Sequence, residues 1–407
     1  MRSARRIAWV ALGVAVSAAG CGFRQLGNGD GGAGDGGGCG DPPAGLVACS
    51  MTKARGFEPL GDASSYSHGS SLAPAGLETA AVWEVAGSTA AAPGKLYFAL
   101  IDVKGAVGNT KLLVDGGVDP VLLRVNDQLT LFWRQADTIY MQRLDDTGML
   151  LNQVPATILS GTTDAFSVAW NGSEFGMVLS GANSDMYQVY WLRVSIDGLV
   201  VAGPTKLPQG GINSIQPALV WTGCEYAVAW TDTRPGTPAI YYARFAADFT
   251  RNSDDLMLSA AGMRGSYPTV AAQDTGGVVV CYEQLVTASN QEIFCARLDG
   301  SGVTNTQQLS STPDPSQNPH AVAHGQNVWV LWDDYQPAAS VPNVVWQFLD
   351  ASGMPLLAAP RVDPDVNAGG WRGHGYYKES DALYFVQYYG DPQTNAFSAQ
   401  IVTENCY

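Results

Sequence analysis

The chain has 407 residues, of which 46 % are hydrophobic and only 14 % charged, with a formal net charge of −15. A chain this acidic repels phosphate backbones, which excludes nucleic acid as a partner class. Beyond the leader, no apolar run reaches the roughly 18 residues that cross a bilayer, so membrane contact is expected only through an attached lipid.

Residues 1–20 carry Arg2, Arg5 and Arg6, the apolar run Ile7–Val16, and small residues ending "SAAGC" at Cys21. This is the layout of a signal peptide, and it is expected to be removed. Its removal takes three of the 22 basic residues and none of the 37 acidic ones, leaving −18. Ala19 and Gly20 directly before Cys21 resemble the bacterial lipobox, with Ala18 standing where that family usually has Leu. The resemblance implies that the Cys21 thiol receives diacylglycerol, and Gly22 in place of an aspartate implies sorting to the outer membrane.

Residues 22–45, "GFRQLGNGDGGAGDGGGCGDPPAG", are Gly-rich and lack apolar periodicity, so they read as a flexible tether. Its "GGAGD" matches one imperfect copy of a calcium-binding nonapeptide, but a single copy cannot stack into a roll. The expected organisation is a leader at 1–20, a lipidated cysteine and tether at 21–50, and one domain at 51–407.

That domain repeats. Trp83, Trp133, Trp230, Tyr282, Trp332 and Tyr388 each end an alternating apolar run, with Leu179 in the corresponding place, at spacings of 50, 46, 51, 52, 50 and 56 residues. A second ladder follows: "YFALIDVKG", "YMQRLDDTG", "YWLRVSIDG", "YYARFAAD", "FCARLDGSG" and "VWQFLDASG", each an apolar run stopped by an Asp/Gly turn. About fifty residues and four short strands per unit are the dimensions of a β-propeller blade, and seven units fill the chain. In "EYAVAW", Tyr226, Val228 and Trp230 share one face and Ala227 and Ala229 the other. The bulky face of one blade is expected to nest against the small face of its neighbour. The last unit runs out of chain after its third strand, so an N-terminal strand at Phe57–Leu60 is expected to complete it and close the ring.

Seven cysteines are read as lipidated Cys21 plus six able to oxidise. Cys281 and Cys295 lie on consecutive strands and are expected to bond. Cys49 and Cys406 are placed to latch the two ends, with Cys39–Cys49 as the local rival, and Cys224 has no assigned partner.

No constellation marks an active site. His320 and His324 in "HAVAHG" would chelate zinc on a helix, but on a strand they stand about 13 Å apart. Asp363, Asp365 and Asn367 alternate as calcium ligands do, yet the sixth position of an EF-hand pattern is Ala368, so a loop is expected. Arg143, Arg193, Arg244 and Arg297 recur at one repeat position; an arginine cluster suggests carboxylate recognition, as in sialidases, but matched positions on separate blades need not converge, and pairing with nearby acids is expected. Asp232 with Arg234, and Asp333 with Asp334, follow ladder aromatics in turn-rich sequence. Nucleophile-elbow, zinc-protease and P-loop patterns are missing.

The repeat as a whole resembles propeller-repeat lipoproteins of Gram-negative bacteria, which implies a lipid-anchored envelope protein; a monomer is expected. The expected function is non-catalytic binding of a protein or glycan without metal or cofactor. The alternative is a hydrolase of envelope or extracellular polysaccharide, which needs two carboxylates in one central pocket.

Overall fold

The computed structural model describes residues 49–53, 69–85, 94–102, 106–161, 163–183, 186–210, 213–274, 276–335, 342–362, 368–369, 375–378, 382–390 and 397–406. Cys21, Cys39, the tether, Phe57–Leu60, Asp363, Asp365 and Asn367 lie outside the described residues. Among the described residues the regular structure is entirely β, and no helix is long and apolar enough to cross a membrane.

After β1 (Cys49–Lys53) come six four-stranded antiparallel sheets in chain order. The first contains β2 (Ser70–Ala75), β3 (Glu78–Val85), β4 (Lys95–Ile101) and β5 (Lys111–Asp115). The second contains β6 (Val118–Val125), β7 (Gln128–Gln135), β8 (Thr138–Leu144) and β9 (Ala156–Ser160). The third contains β10 (Thr163–Trp170), β11 (Phe175–Asn183), β12 (Met186–Val194) and β13 (Val200–Lys206). The fourth contains β14 (Ser214–Trp221), β15 (Tyr226–Asp232), β16 (Ala239–Phe245) and β17 (Leu256–Met257). The fifth contains β18 (Gly265–Ala272), β19 (Val278–Leu285), β20 (Gln291–Asp299) and β21 (Gly302–Gln308). The sixth contains β22 (Ser316–His324), β23 (Asn327–Asp334), β24 (Asn343–Leu349) and β25 (Arg361–Val362). A further sheet joins β26 (Ala368–Gly369), β27 (Gly375–Lys378), β28 (Ala382–Gly390), β29 (Phe397–Cys406) and β1. The first strands β2, β6, β10, β14, β18 and β22 touch in succession, and β27 touches both β22 and β2. The sheets therefore circle one axis as an all-β propeller.

The two sequence ladders meet across strands. Trp83 is the direct partner of Tyr97, Trp133 of Tyr140, Trp230 of Tyr241, and Tyr282 of Phe294. Their rings stack with centroids 6.1, 5.5, 6.2 and 6.2 Å apart. Such cross-strand aromatic pairs are a main source of sheet stability, at roughly 0.2–1 kcal/mol each.

Blade-to-blade packing follows the alternation read in "EYAVAW". Tyr226, Val228 and Trp230 bury against the third sheet in one cluster with Val178 and Val189, while Ala227 and Ala229 face Val278, Val280 and Tyr282 of the fifth. Trp133 likewise faces the first sheet, Leu179 the second, Tyr282 the fourth and Trp332 the fifth. Each ladder residue thus plugs into the preceding blade. The fit is tight at Gly176 of β11, where a Cβ would stand 2.4 Å from Cζ of Tyr226.

The Asp/Gly turns are built by their own side chains. Asp145 Oδ1 accepts hydrogen bonds from the N–H groups of Thr147 and Met149, and Asp350 Oδ1 from those of Ser352 and Met354. Gly148 and Gly353 follow at φ +71° and +79°, a left-handed region that glycine enters without a Cβ clash.

An N-terminal strand does pair with the last sheet, and it is Cys49–Lys53, ahead of the expected Phe57–Leu60, which lies outside the described residues. It runs antiparallel to β29 from Cys49↔Cys406 to Lys53↔Val402. "CSMTK" can donate from every backbone nitrogen, whereas Pro59 removes one donor from the expected segment. Cys281 and Cys295 are cross-strand partners and are disulfide-bonded, as expected. Cys224 is exposed on the β14–β15 turn, its sulfur 3.7 Å from Thr222 Oγ1.

Gly176→Ala should lower stability by about 1–3 kcal/mol, the usual cost of forcing an extra methyl into a packed core. Adding Tyr226→Leu should recover part of that loss in denaturant titrations. Independent, additive effects of the two substitutions would refute the interlock between the third and fourth blades.

Candidate functional site

After six of the seven ladder positions the next residue is polar: Glu84, Arg134, Ser180, Thr231, Glu283 and Asp333. These side chains bond to a second repeated feature, and Glu84, Arg134 and Glu283 line one cavity with it. The innermost strands carry register breaks at Val118/Val121, Thr163/Ala165, Ile215/Ala218, Ser266/Thr269 and Gln317/His320. Four of these bulges place a non-glycine residue in the left-handed region directly before a proline: Asp119 (φ 53°), Gln216 (φ 54°), Tyr267 (φ 50°) and Asn318 (φ 53°). Each such conformation costs on the order of 1–3 kcal/mol and persists only where its surroundings hold it.

Hydrogen bonds between the two features supply that hold. Arg134 donates to Asp119 Oδ2 through Nη2 at 2.7 Å and Nε at 3.0 Å. Thr231 Oγ1 donates to Gln216 Oε1 at 2.9 Å, Asn318 Nδ2 to Asp333 Oδ2 at 2.9 Å, and Ser266 Oγ to Glu283 Oε2 at 3.2 Å. Others cross between blades: the bulge N–H of Asp119 donates to Glu84, that of Tyr267 to Gln216, and that of Asn318 to Glu283, at 3.2, 3.1 and 2.8 Å. Glu84 and Glu283 are almost fully buried, so these bonds replace the water their carboxylates lost.

The ring encloses a cavity of about 610 Å³ lined by Glu84, Asp119, Arg134, Asp164, Arg264, Tyr267 and Glu283, with amides from Gln291, Gln317 and Asn318. A channel of about 450 Å³ shares Asp164, Tyr267 and Asn318 with it and is walled by Pro120, Pro217, Pro268, Pro319, Phe166 and His320. The bulge prolines thus form its collar. His320 is half-buried there, and desolvation pushes its pKa down to about 4. Burial pushes the Asp334 carboxyl up, opposed by donation from the hydroxyls of Ser316 and Thr312. Burial also pushes the Tyr335 hydroxyl up, reinforced by the negative charges of Asp333 and Glu283.

Among the residues singled out in the sequence, only Asp333 belongs to the ring and only His320 to the channel. Asp232 is wholly buried and accepts from Trp230 Nε1 at 3.2 Å; Arg234 joins it to Asp255 at 2.8 and 2.7 Å, a structural lock for the turn. Arg193 and Arg244 pair with Glu174 and Glu225 at 2.6 and 3.1 Å, Arg143 with Gln128 and Asp197, and Arg297 with Asp299 at 3.2 Å. The repeated arginines are thus held by acids or an amide near their own strands, and they do not converge. His320 and His324 both lie on β22, four positions apart. The chain positions that build the mouth were visible in the repeat, one step past each ladder residue, but their differing identities hid them.

No family model and no curated protein matches the chain. Solved structures do. A protein of unknown function from Dyadobacter fermentans is 12 % identical with a TM-score of 0.55, over 90 % of this chain and all of that one. A GH93 α-L-arabinofuranosidase of Fusarium graminearum, 12 % identical, has a TM-score of 0.48 over 86 % and 97 % of the two chains. A Penicillium chrysogenum α-L-arabinanase, 14 % identical, has one of 0.47 over 86 % and 98 %. The first of these likenesses establishes the shared fold.

Because the folded chain holds His320 neutral down to about pH 4 while an unfolded histidine protonates near 6.5, unfolding takes up a proton between those values. Stability from this source is complete above pH 6.5 and is lost as pH falls toward 4. Thermal melts should show His320→Gln flattening the stability profile across that interval; an unchanged profile would show that the channel does not desolvate the imidazole.

Proposed function

We propose that this protein is a lipid-anchored, extracytoplasmic β-propeller that acts as a monomer and binds a glycan at the mouth of its axis without cleaving it. The observation that carries the reading is the cavity itself: polar side chains from five blades converge on a space of about 610 Å³, large enough for one or two sugar rings. Both donors and acceptors line it, which suits a hydroxyl-rich ligand better than an apolar one.

The hydrolase reading draws support from the several carboxylates in that cavity. Glycoside hydrolysis by paired carboxylates needs two of them free to work on either side of the bond. Glu84 and Glu283 use their oxygens as acceptors that join neighbouring blades, and Asp119 is engaged by Arg134. That leaves Asp164 as the carboxylate best placed to face a ligand, which favours binding over turnover.

The same proposal takes the sheet of β26–β29 and β1 as a seventh blade, supported by the contacts of β27 with both β22 and β2. It also takes Cys49–Cys406 as a covalent latch, supported by their direct opposition in the strand register. Export is proposed from the leader, and lipidation at Cys21 would hold the domain to the outer membrane through the tether at 22–45.

A chain beginning at Leu46 keeps every described strand and is suited to a glycan array coupled to a reducing-end assay. Retention of a defined glycan set without release of reducing ends is the expected result. Turnover that disappears in Asp164→Asn would replace binding by hydrolysis, and a blank array would remove the glycan reading.

Mass spectrometry of the envelope form should find diacylglyceryl-modified Cys21 as the first residue, and Cys21→Ser should release the protein from membranes. A mature N-terminus elsewhere would defeat the anchor.

A further inference from the structure

Most charged side chains at the mouth are committed to holding the ring together. Asp119 is engaged by Arg134, Glu84 and Glu283 bridge blades, and Asp333 accepts from Asn318. Two are not. Arg264, just before β18, and Asp164, in the bulge of β10, are exposed and make no side-chain hydrogen bond or ion pair among the described residues, although both line the same cavity. Opposite charges sharing a cavity lower their energy by pairing unless their anchors hold them apart. Here the whole fourth blade stands between their strands. A third residue, Tyr267, lies three positions from Arg264 and is 38 % exposed despite being aromatic. It is fixed at its bulge by the bond from its own N–H to Gln216.

We infer that these three residues are the ligand-reading set of the mouth, and that the sugar they read carries a carboxylate. This rests on the glycan reading above and specifies its ligand class. A guanidinium presents a planar fork of donors that matches a carboxylate in bidentate fashion, and it has no comparable partner in a neutral sugar. Asp164, an acceptor only, takes hydroxyl donors from the ring, and the Tyr267 ring offers a flat apolar surface for the sugar's C–H face. A uronate uses all three groups at once. An amino sugar would set its ammonium beside Arg264, and a neutral sugar would leave Arg264 idle. The overall negative charge of the chain does not prevent this, because salt screens surface fields over about 8 Å while a contact pair in the cavity remains.

Calorimetry on the detergent-solubilised full chain tests this with three matched probes: a galacturonate trisaccharide, its neutral galactose counterpart, and a galactosamine counterpart. The uronate should bind at least tenfold more tightly than the neutral probe, and the amino probe more weakly than either. Arg264→Gln should abolish that tenfold preference while leaving the weaker neutral binding in place, and Tyr267→Ala should weaken both. Arg264 is exposed, so an unchanged melting temperature will separate loss of recognition from loss of fold. Equal binding of uronate and neutral probes, or an unaltered preference in Arg264→Gln, overturns the carboxylate assignment while sparing the glycan reading. Failure of all three probes, together with a blank array, overturns both.

Discussion

The structure depends on burying one large side chain per repeat in the blade before it. Trp133, Leu179, Trp230, Tyr282 and Trp332 hold corresponding positions on consecutive second strands, and each enters the hydrophobic cluster shared with the preceding sheet. A blade has two faces and no apolar interior of its own, so a single sheet would leave both exposed to water. Packing each face against a neighbour settles that problem pairwise, bulky against small at Ala227 and Ala229 and bulky against bulky at Phe132 and Phe175, and repetition turns the pairwise solution into a circle. The close approach of Tyr226 to Gly176 shows how little room is left between blades.

The position of the mouth follows from the same constraint. A strand that places an aromatic residue in the interface on one step turns its next side chain the other way, and at this end of the sheet that next side chain reaches the axis. Glu84, Arg134, Thr231, Glu283 and Asp333 are therefore delivered to one place by packing requirements that concern their neighbours. The bulges answer from the innermost strands, and their left-handed residues trade local strain for bonds that tie blade to blade. What remains uncommitted at the mouth is correspondingly small, and it is there that chemistry toward a ligand resides.

Much of the architecture was legible in the sequence because it is periodic. The stacked pairs Trp83–Tyr97 and Trp230–Tyr241 join the two ladders read from spacing alone, and the Cys281–Cys295 bond followed from the strand order. The end strand was expected at Phe57–Leu60 because "GFEPL" looks like the fourth-strand segments elsewhere, whereas the described partner of β29 is "CSMTK", a pairing that single-chain periodicity does not reveal. The mouth was harder to read. Its members share a position but no chemistry, from arginine to serine to glutamate, and the residues that looked functional for their charge, Asp232 and Arg234, are fastened to each other and to Asp255. Arg264 and Asp164 carry no motif at all; they stand out only once the bonding of every neighbour is known.

The pairing of β1 with β29 joins two strands that lie far apart in the sequence. β1 therefore stays an unmatched edge until β29 has been made, after all the intervening sheets. Closure of this pair is consequently a late event of high contact order, preceded by a period of exposed hydrogen-bonding groups. Loss of Phe397–Cys406 would leave β1 without its template, which makes that strand as consequential as any core position.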